Sequence, residues 1–243
     1  MKFGMNLLLW TGELNDDLMG VLESLKSMGY DGVEVPIFNL ELDYAAWGKK
    51  LDDIGLERTA VTVRTEDDNP ISPQSAVRQK GVDLTKKTLD CCAAIGATHL
   101  VGPYHSALGV FSGKGRTEDE WKWGVESMRA VAEHAGSVNV TLGVECLNRF
   151  ETYLLNTHAD SAKFAREVNH PNCKMMYDTF HANIEPRPHQ RERPQHARGG
   201  ERPLGRKLGH AQGGRLRRLA DDRSVRPGSA GTGGRHENLA ADV

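Results

Sequence analysis

Apolar residues along the first 184 positions fall into two alternating spacings: short continuous runs of strand length, and longer stretches in which they recur every three or four residues as on one face of a helix. Phe3 to Trp10 forms the first apolar run, closed by Thr11 and Gly12. Asn15 and Asp16 then cap a helix carrying Leu18, Val21, Leu22, Leu25 and Met28 at helical spacing, ended by Gly29. Gly32 to Phe38 is the second strand, Tyr44 to Ile54 the next helix and Arg58 to Val63 the third strand. A long helix from Ser72 or Pro73 to Ile95 stops at Gly96, followed by a strand from Thr98 to His105 and a loop, SALGVFSGKG. Thr117 caps a helix to about Ala135, the fifth strand opens at Thr141, Ala159 to Val168 is its helix, and Cys173 to His181 is the sixth strand.

Six such units at intervals of roughly 30 residues, with strands apolar enough to be covered on both faces, predict a parallel α/β sheet. A barrel and a doubly wound sheet both satisfy the pattern. The strand ends favour the barrel: Trp10, Glu34, Arg64, His105, Glu145, Asp178 and His181 all fall at or just past a strand's C-terminal end, where a (β/α)8 TIM barrel builds its active site. No G-x-G-x-x-G follows the first strand, which argues against a dinucleotide site. The expected fold is therefore a TIM barrel, truncated here to about six β/α units.

After Ile184 the pattern stops. The last 59 residues contain no Ile, Phe, Tyr, Trp, Met or Cys and carry a net charge of +6, against −8 for the first 184. The domain division is thus 1–184, an incomplete barrel, and 185–243, a Pro, Gly and Arg-rich tail too poor in apolar surface to offset its chain entropy. A basic nucleic-acid-binding arm is one alternative, disfavoured because no aromatic residue is interleaved for base stacking. Another is a reading-frame change. Codons exist for Arg187 to Gly199 whose one-base-shifted triplets spell VHISENDRSTPG, and the same offset turns Leu216 to Pro227 into YDGWLTIEAFGR and Gly228 onward into ALPELAAATKIW. One offset yields barrel-like text over most of the tail, so the tail is expected to be the seventh and eighth units out of frame.

Net charge over the 243 residues is −2, which excludes a chain whose overall charge drives it to nucleic acid or membrane. Cys91, Cys92, Cys146 and Cys173 lack zinc spacing and fit free thiols in a reducing compartment. The run Met5 to Trp10 is too short for a signal or spanning segment, so the expectation is a cytoplasmic protein that does not enter membranes.

The chemistry concentrates at TLGVECLNRFETYLLNT, Thr141 to Thr157. A carboxylate at the end of a buried strand is costly unless a metal or a substrate uses it, which singles out Glu145. Together with MMYDTFHANIE, GPYHSALGVFSG and MNLLLW, this stretch resembles the ketose 3-epimerases (D-tagatose, D-allulose and L-ribulose 3-epimerases) of the xylose-isomerase-like TIM-barrel superfamily, over Met1 to about Glu185. The resemblance implies a divalent ion, Mn²⁺ first and Mg²⁺ or Co²⁺ as alternatives, held by Glu, Asp, His and Glu, with Glu145 as first ligand and also an acid/base group, and Asp178 as second ligand. It implies that Glu151 and His181 bind the O1 to O3 end of a ketose and that intact relatives are homo-oligomers. The third ligand belongs in an H-x-S-E-N-D-R-like motif and the fourth in I-E-A-F, and both occur only in the shifted frame. Trp10 and His105 are candidate substrate-lining residues, with Phe111 and Glu34 behind them.

Blander roles compete for each residue: an ion pair for Glu145, a helix cap for Asp178, a structural histidine at His181, surface exposure for Glu151, core packing for Trp10, and a plain strand end for His105. The expected function is C3 epimerisation of a ketose through an enediolate, impaired in this chain because two ligands are missing. A hydroxypyruvate isomerase, an abasic-site endonuclease of the same superfamily and a basic-tailed nucleic-acid binder are the alternatives.

Overall fold

The computed structural model describes residues 1–185; the predicted tail, 185–243, lies outside them except for its first residue, Glu185. Six parallel strands, β1 (Gly4–Asn6), β2 (Gly32–Pro36), β3 (Glu57–Val61), β4 (His99–Gly102), β5 (Thr141–Glu145) and β6 (Cys173–Met176), pair in sequence order. Each is followed by a helix: α1 (Met19–Ser27), α2 (Tyr44–Ile54), α3 (Ser75–Ile95), α4 (Glu118–Ser137), α5 (His158–Val168) and α6 (Thr179–Ile184). Strand order equal to chain order, with a helix in every connection, is the progression of a β/α barrel and not of a doubly wound sheet, whose order reverses. Among the described residues β1 and β6 each have one strand neighbour.

Local chemistry sets the boundaries. Asp43 accepts the Ala46 N–H and starts α2; Thr117 and Glu120 form a reciprocal capping box on α4; Thr157 accepts the Asp160 N–H and starts α5. Gly55 and Gly96 end α2 and α3 in the left-handed conformation. Between sheet and helices lies one continuous apolar layer, with Leu22, Leu51, Leu89, Ile95, Leu100, Met128, Leu142 and Phe164 fully or almost fully buried. Gly102, at φ +120°, lets β4 turn away at its end where a Cβ would collide with the Thr62 carbonyl oxygen.

The predicted strands are shorter in the structure: Thr98 to His105 keeps only His99–Gly102, and the first and sixth runs lose most. The run Phe3 to Trp10 keeps only Gly4–Asn6 as strand, because the Asn6 side chain accepts the Leu8 N–H at 2.8 Å and folds Leu7–Leu9 into a 3₁₀ turn. Trp10 is therefore the C-cap of that turn, part-buried against the core, and not a strand-end residue. In the run Cys173 to His181 the strand stops at Met176 and Asp178 caps a helix, so His181 sits in the first turn of α6. All four cysteines are free thiols, three of them buried. No helix among the described residues is long and apolar enough to cross a membrane.

Candidate active site

Because β5 and β6 are register neighbours, with Glu145 opposite Met176, the residues just past β6 come beside the end of β5. There Glu145, Asp178 and His181 converge, each offering a ligand atom within 4.8 Å of the others. Glu145 has a side chain only 12% exposed, and its Oε1 lies 3.7 Å from His181 Nε2. Burial, followed by the charges of Asp178, Glu34 and Glu151, pushes its carboxyl from 4.5 up to about 8. Among the described residues no lysine or arginine is ion-paired with Glu34, Glu145, Glu151 or Asp178. Carboxylates gathered with no lysine or arginine paired to them are a chemical fit for a hard divalent cation.

Each of these residues is held by a partner distant in sequence. His105 is fully buried, with Nε2 2.8 Å from the Glu145 carbonyl oxygen and Nδ1 3.0 Å from Ser106 Oγ. Burial pushes the ring down to about 4, so it is neutral, donating to the carbonyl through Nε2 and accepting from Ser106 through Nδ1. His105 thus fixes the backbone under Glu145 instead of facing the mouth, and the substrate-lining expectation for it has no geometric support. His158, the first residue of α5, accepts the Asp178 N–H on Nε2 at 3.2 Å and stacks on Tyr177 with ring centroids 4.0 Å apart. Asp178 itself accepts the His181 N–H at 2.8 Å, so capping α6 and joining the acidic cluster are both its tasks.

Behind the cluster, Asn148 ties the β5 loop together: it donates to Glu151 Oε1 at 2.7 Å and its backbone N–H donates to His181 Nδ1 at 3.2 Å. Arg149 closes the same loop by an ion pair with the buried Glu185 at 3.0 Å. Glu34, opposite Asn6 and Thr59 in register, bonds to both, and burial raises its carboxyl. Arg64 is buried, with its guanidinium bonded to Asp68 and Thr62. Phe111 is half exposed on the loop after β4, 6.3 Å from the Tyr153 ring. Neither His158 nor Asn148 has a role in the sequence reading, and for His158 no local signal exists, since its partner lies 20 residues away.

A parallel β/α sheet with an acidic, imidazole-containing cluster at the C-terminal ends of adjacent strands defines a TIM-barrel protein with a site at its mouth. The chain belongs to the xylose isomerase-like TIM barrel family, whose profile matches residues 22–240. Curated relatives that it resembles include several ketose 3-epimerases. It is 30% identical to the D-psicose 3-epimerase of Agrobacterium fabrum over 190 residues, 76% of this chain and 66% of that relative. Identity to the D-psicose 3-epimerase of Ruminiclostridium cellulolyticum is also 30%, over 242 residues, 93% of this chain and 76% of that relative. Among solved structures, the D-allulose 3-epimerase from Methylomonas sp. in complex with D-allulose superposes with a TM-score of 0.72 at 27% identity, covering 76% of this chain and 65% of that one. The chain thus spans about two thirds of the length of several of these relatives.

Proposed function

We propose that this chain carries half of the site of a metal-dependent ketose 3-epimerase. The observation that carries the reading is the convergence of Glu145, Asp178 and His181 at the ends of β5 and β6, with a like-charged surround that leaves Glu145 in want of a cation. Glu145 and Asp178 would hold the divalent ion, Mn²⁺ in the first place, which when bound polarises the ketose oxygens at C2 and C3 as a Lewis acid. The remaining work belongs to the protein. Epimerisation removes the C3 proton next to the carbonyl and returns it on the other face, so a carboxylate is needed on each side of the sugar. Glu145 supplies one, able to take and release the proton at its carboxylate oxygen. His181 and Glu151, both bonded to the Asn148 amide nitrogen, would anchor the sugar oxygens beside it.

The opposite carboxylate and the remaining ligands belong to the seventh and eighth units, which the tail spells one base out of frame. The alignments with several relatives cover 76% of this chain, the share that six in-frame units followed by an out-of-frame tail would give. On this reading the chain as written binds metal weakly and epimerises little or not at all, and its two edge strands favour association.

The test is deuterium incorporation at C3 of D-fructose or D-tagatose in ²H₂O with Mn²⁺, for the written chain and for one continued after Ile184 in the shifted frame. Metal-dependent exchange by the continued chain supports the reading. Turnover by the written chain comparable to an intact epimerase would refute the impairment, and a nucleotide sequence in which no insertion or deletion near codons 184 to 188 opens the shifted frame would refute the account of the tail.

A further inference from the structure

His181 is placed by two donors on one ring nitrogen. Its Nδ1 lies 3.2 Å from the backbone nitrogen of Asn148 and 3.0 Å from the Nδ2 of the same residue. The Asn148 amide cannot be turned over, because each end has a partner that admits one orientation only. The Phe150 N–H needs an acceptor and meets Oδ1 at 2.9 Å; the Glu151 carboxylate needs a donor and meets Nδ2 at 2.7 Å. One Nδ2 hydrogen goes to Glu151 and the other is left for His181. Asn148 is 1% exposed and His181 7%, so water does not compete for these bonds.

We propose that Asn148 is a positioning residue that holds His181 as the Nε2–H tautomer, and so sets a hydrogen-bond donor, not a metal-binding lone pair, beside Glu145. With Nδ1 occupied by two N–H groups, a neutral imidazole carries its proton on Nε2, the atom 3.7 Å from Glu145 Oε1. Metal ligation through Nε2 would require the proton on Nδ1, where it would face two donors and leave all three unpaired in a buried place. The cluster of three potential ligands therefore divides into two carboxylates for a cation and one donor for an oxygen acceptor. The ligand class that uses both is a polyhydroxy carbonyl compound, whose hydroxyl or carbonyl oxygen accepts from Nε2–H. The same amide orients Glu151, so one side chain sets two groups facing the ligand. What the donor is for rests on the epimerase reading above; the tautomer does not.

The test is histidine tautomer spectroscopy on the full chain labelled with ¹⁵N-histidine, at a pH where the ring is neutral, using two-bond ¹H–¹⁵N correlations and H181Q to identify the signal. Wild type is expected to show His181 protonated on Nε2. In N148D a carboxylate oxygen replaces the N–H donor, and His181 is expected to gain a proton on Nδ1. In N148A only the longer backbone bond remains, and the Nδ1–H form is expected to rise from a trace to a measurable fraction; this variant serves where N148D does not fold. The His105 signal, from a ring buried under Glu145, reports a native core in each sample. A wild-type ring protonated on Nδ1, or an unchanged pattern in a folded variant, overturns the proposal. Sugar turnover is not read, so failure of the epimerase reading leaves this result standing, and the reverse.

Discussion

Replacing Glu145 by Gln should make the metal-free chain more stable at alkaline pH, the opposite of what removal of a structural ion-pair partner does. The carboxyl is pushed from 4.5 up to about 8, first by burial and then by Asp178, Glu34 and Glu151. Between those values the folded chain holds a proton that the unfolded chain has released. Stability contributed by that proton is full below about pH 4.5, falls as pH rises toward about 8, and is lost above it. At about 1.4 kcal/mol per tenfold change in proton affinity the span is worth about 5 kcal/mol as an upper bound, reduced by relaxation and by water at the 12% of the side chain still exposed. Glutamine keeps the shape and cannot ionise. Urea unfolding with EDTA present, at about pH 5 and about pH 9, should therefore show a pH-dependent midpoint for wild type, a flatter one for E145Q, and an E145Q advantage of ~2 kcal/mol or more at the higher pH. A substitution that destabilises equally at both values would refute the reasoning, since Glu145 would then be an ordinary structural partner.

Three further substitutions probe the supports. Asp178→Ala removes the cap of α6 and should cost about 1 kcal/mol in urea unfolding, whereas Asp178→Asn, which can cap, should leave stability near wild type. His105→Phe leaves the Glu145 carbonyl without its donor and should destabilise by about 1–3 kcal/mol. Gly102→Ala forces a Cβ into the left-handed region against the Thr62 carbonyl and should lose about 1–3 kcal/mol from strain alone, read as a lowered Tm.

What the sequence reveals and what it hides divides by distance along the chain. The Tyr44–Ile54 helix has the predicted ends, and Gly96 and Thr117 act as the stop and the cap that their residue types suggest, because capping is a contact between residues close in sequence. The barrel order follows from the six repeats. The predicted strands run past the observed ends, and in the first and sixth the reason is a single side-chain bond, Asn6 to Leu8 and Asp178 to His181, that breaks an apolar run which periodicity alone continues. Glu145, Asp178, His181 and Glu151 were legible through their motifs. The residues that hold them were not: His105 to Glu145, His158 to Asp178 and Asn148 to His181 are bonds across 40, 20 and 33 positions, created only when neighbouring strands align.

In the proposed site Glu145 and Asp178 form the cation-binding pair, with His181 reserved for the ligand's oxygen. Titration of the full chain with Mn²⁺, followed by calorimetry or by the loss of the free-ion EPR signal, tests this directly. The expected result is one weak site, abolished in E145Q and in D178N and retained in H181Q. Mn²⁺ binding that survives both carboxylate substitutions, or that disappears with His181 as completely as with Glu145, would contradict it.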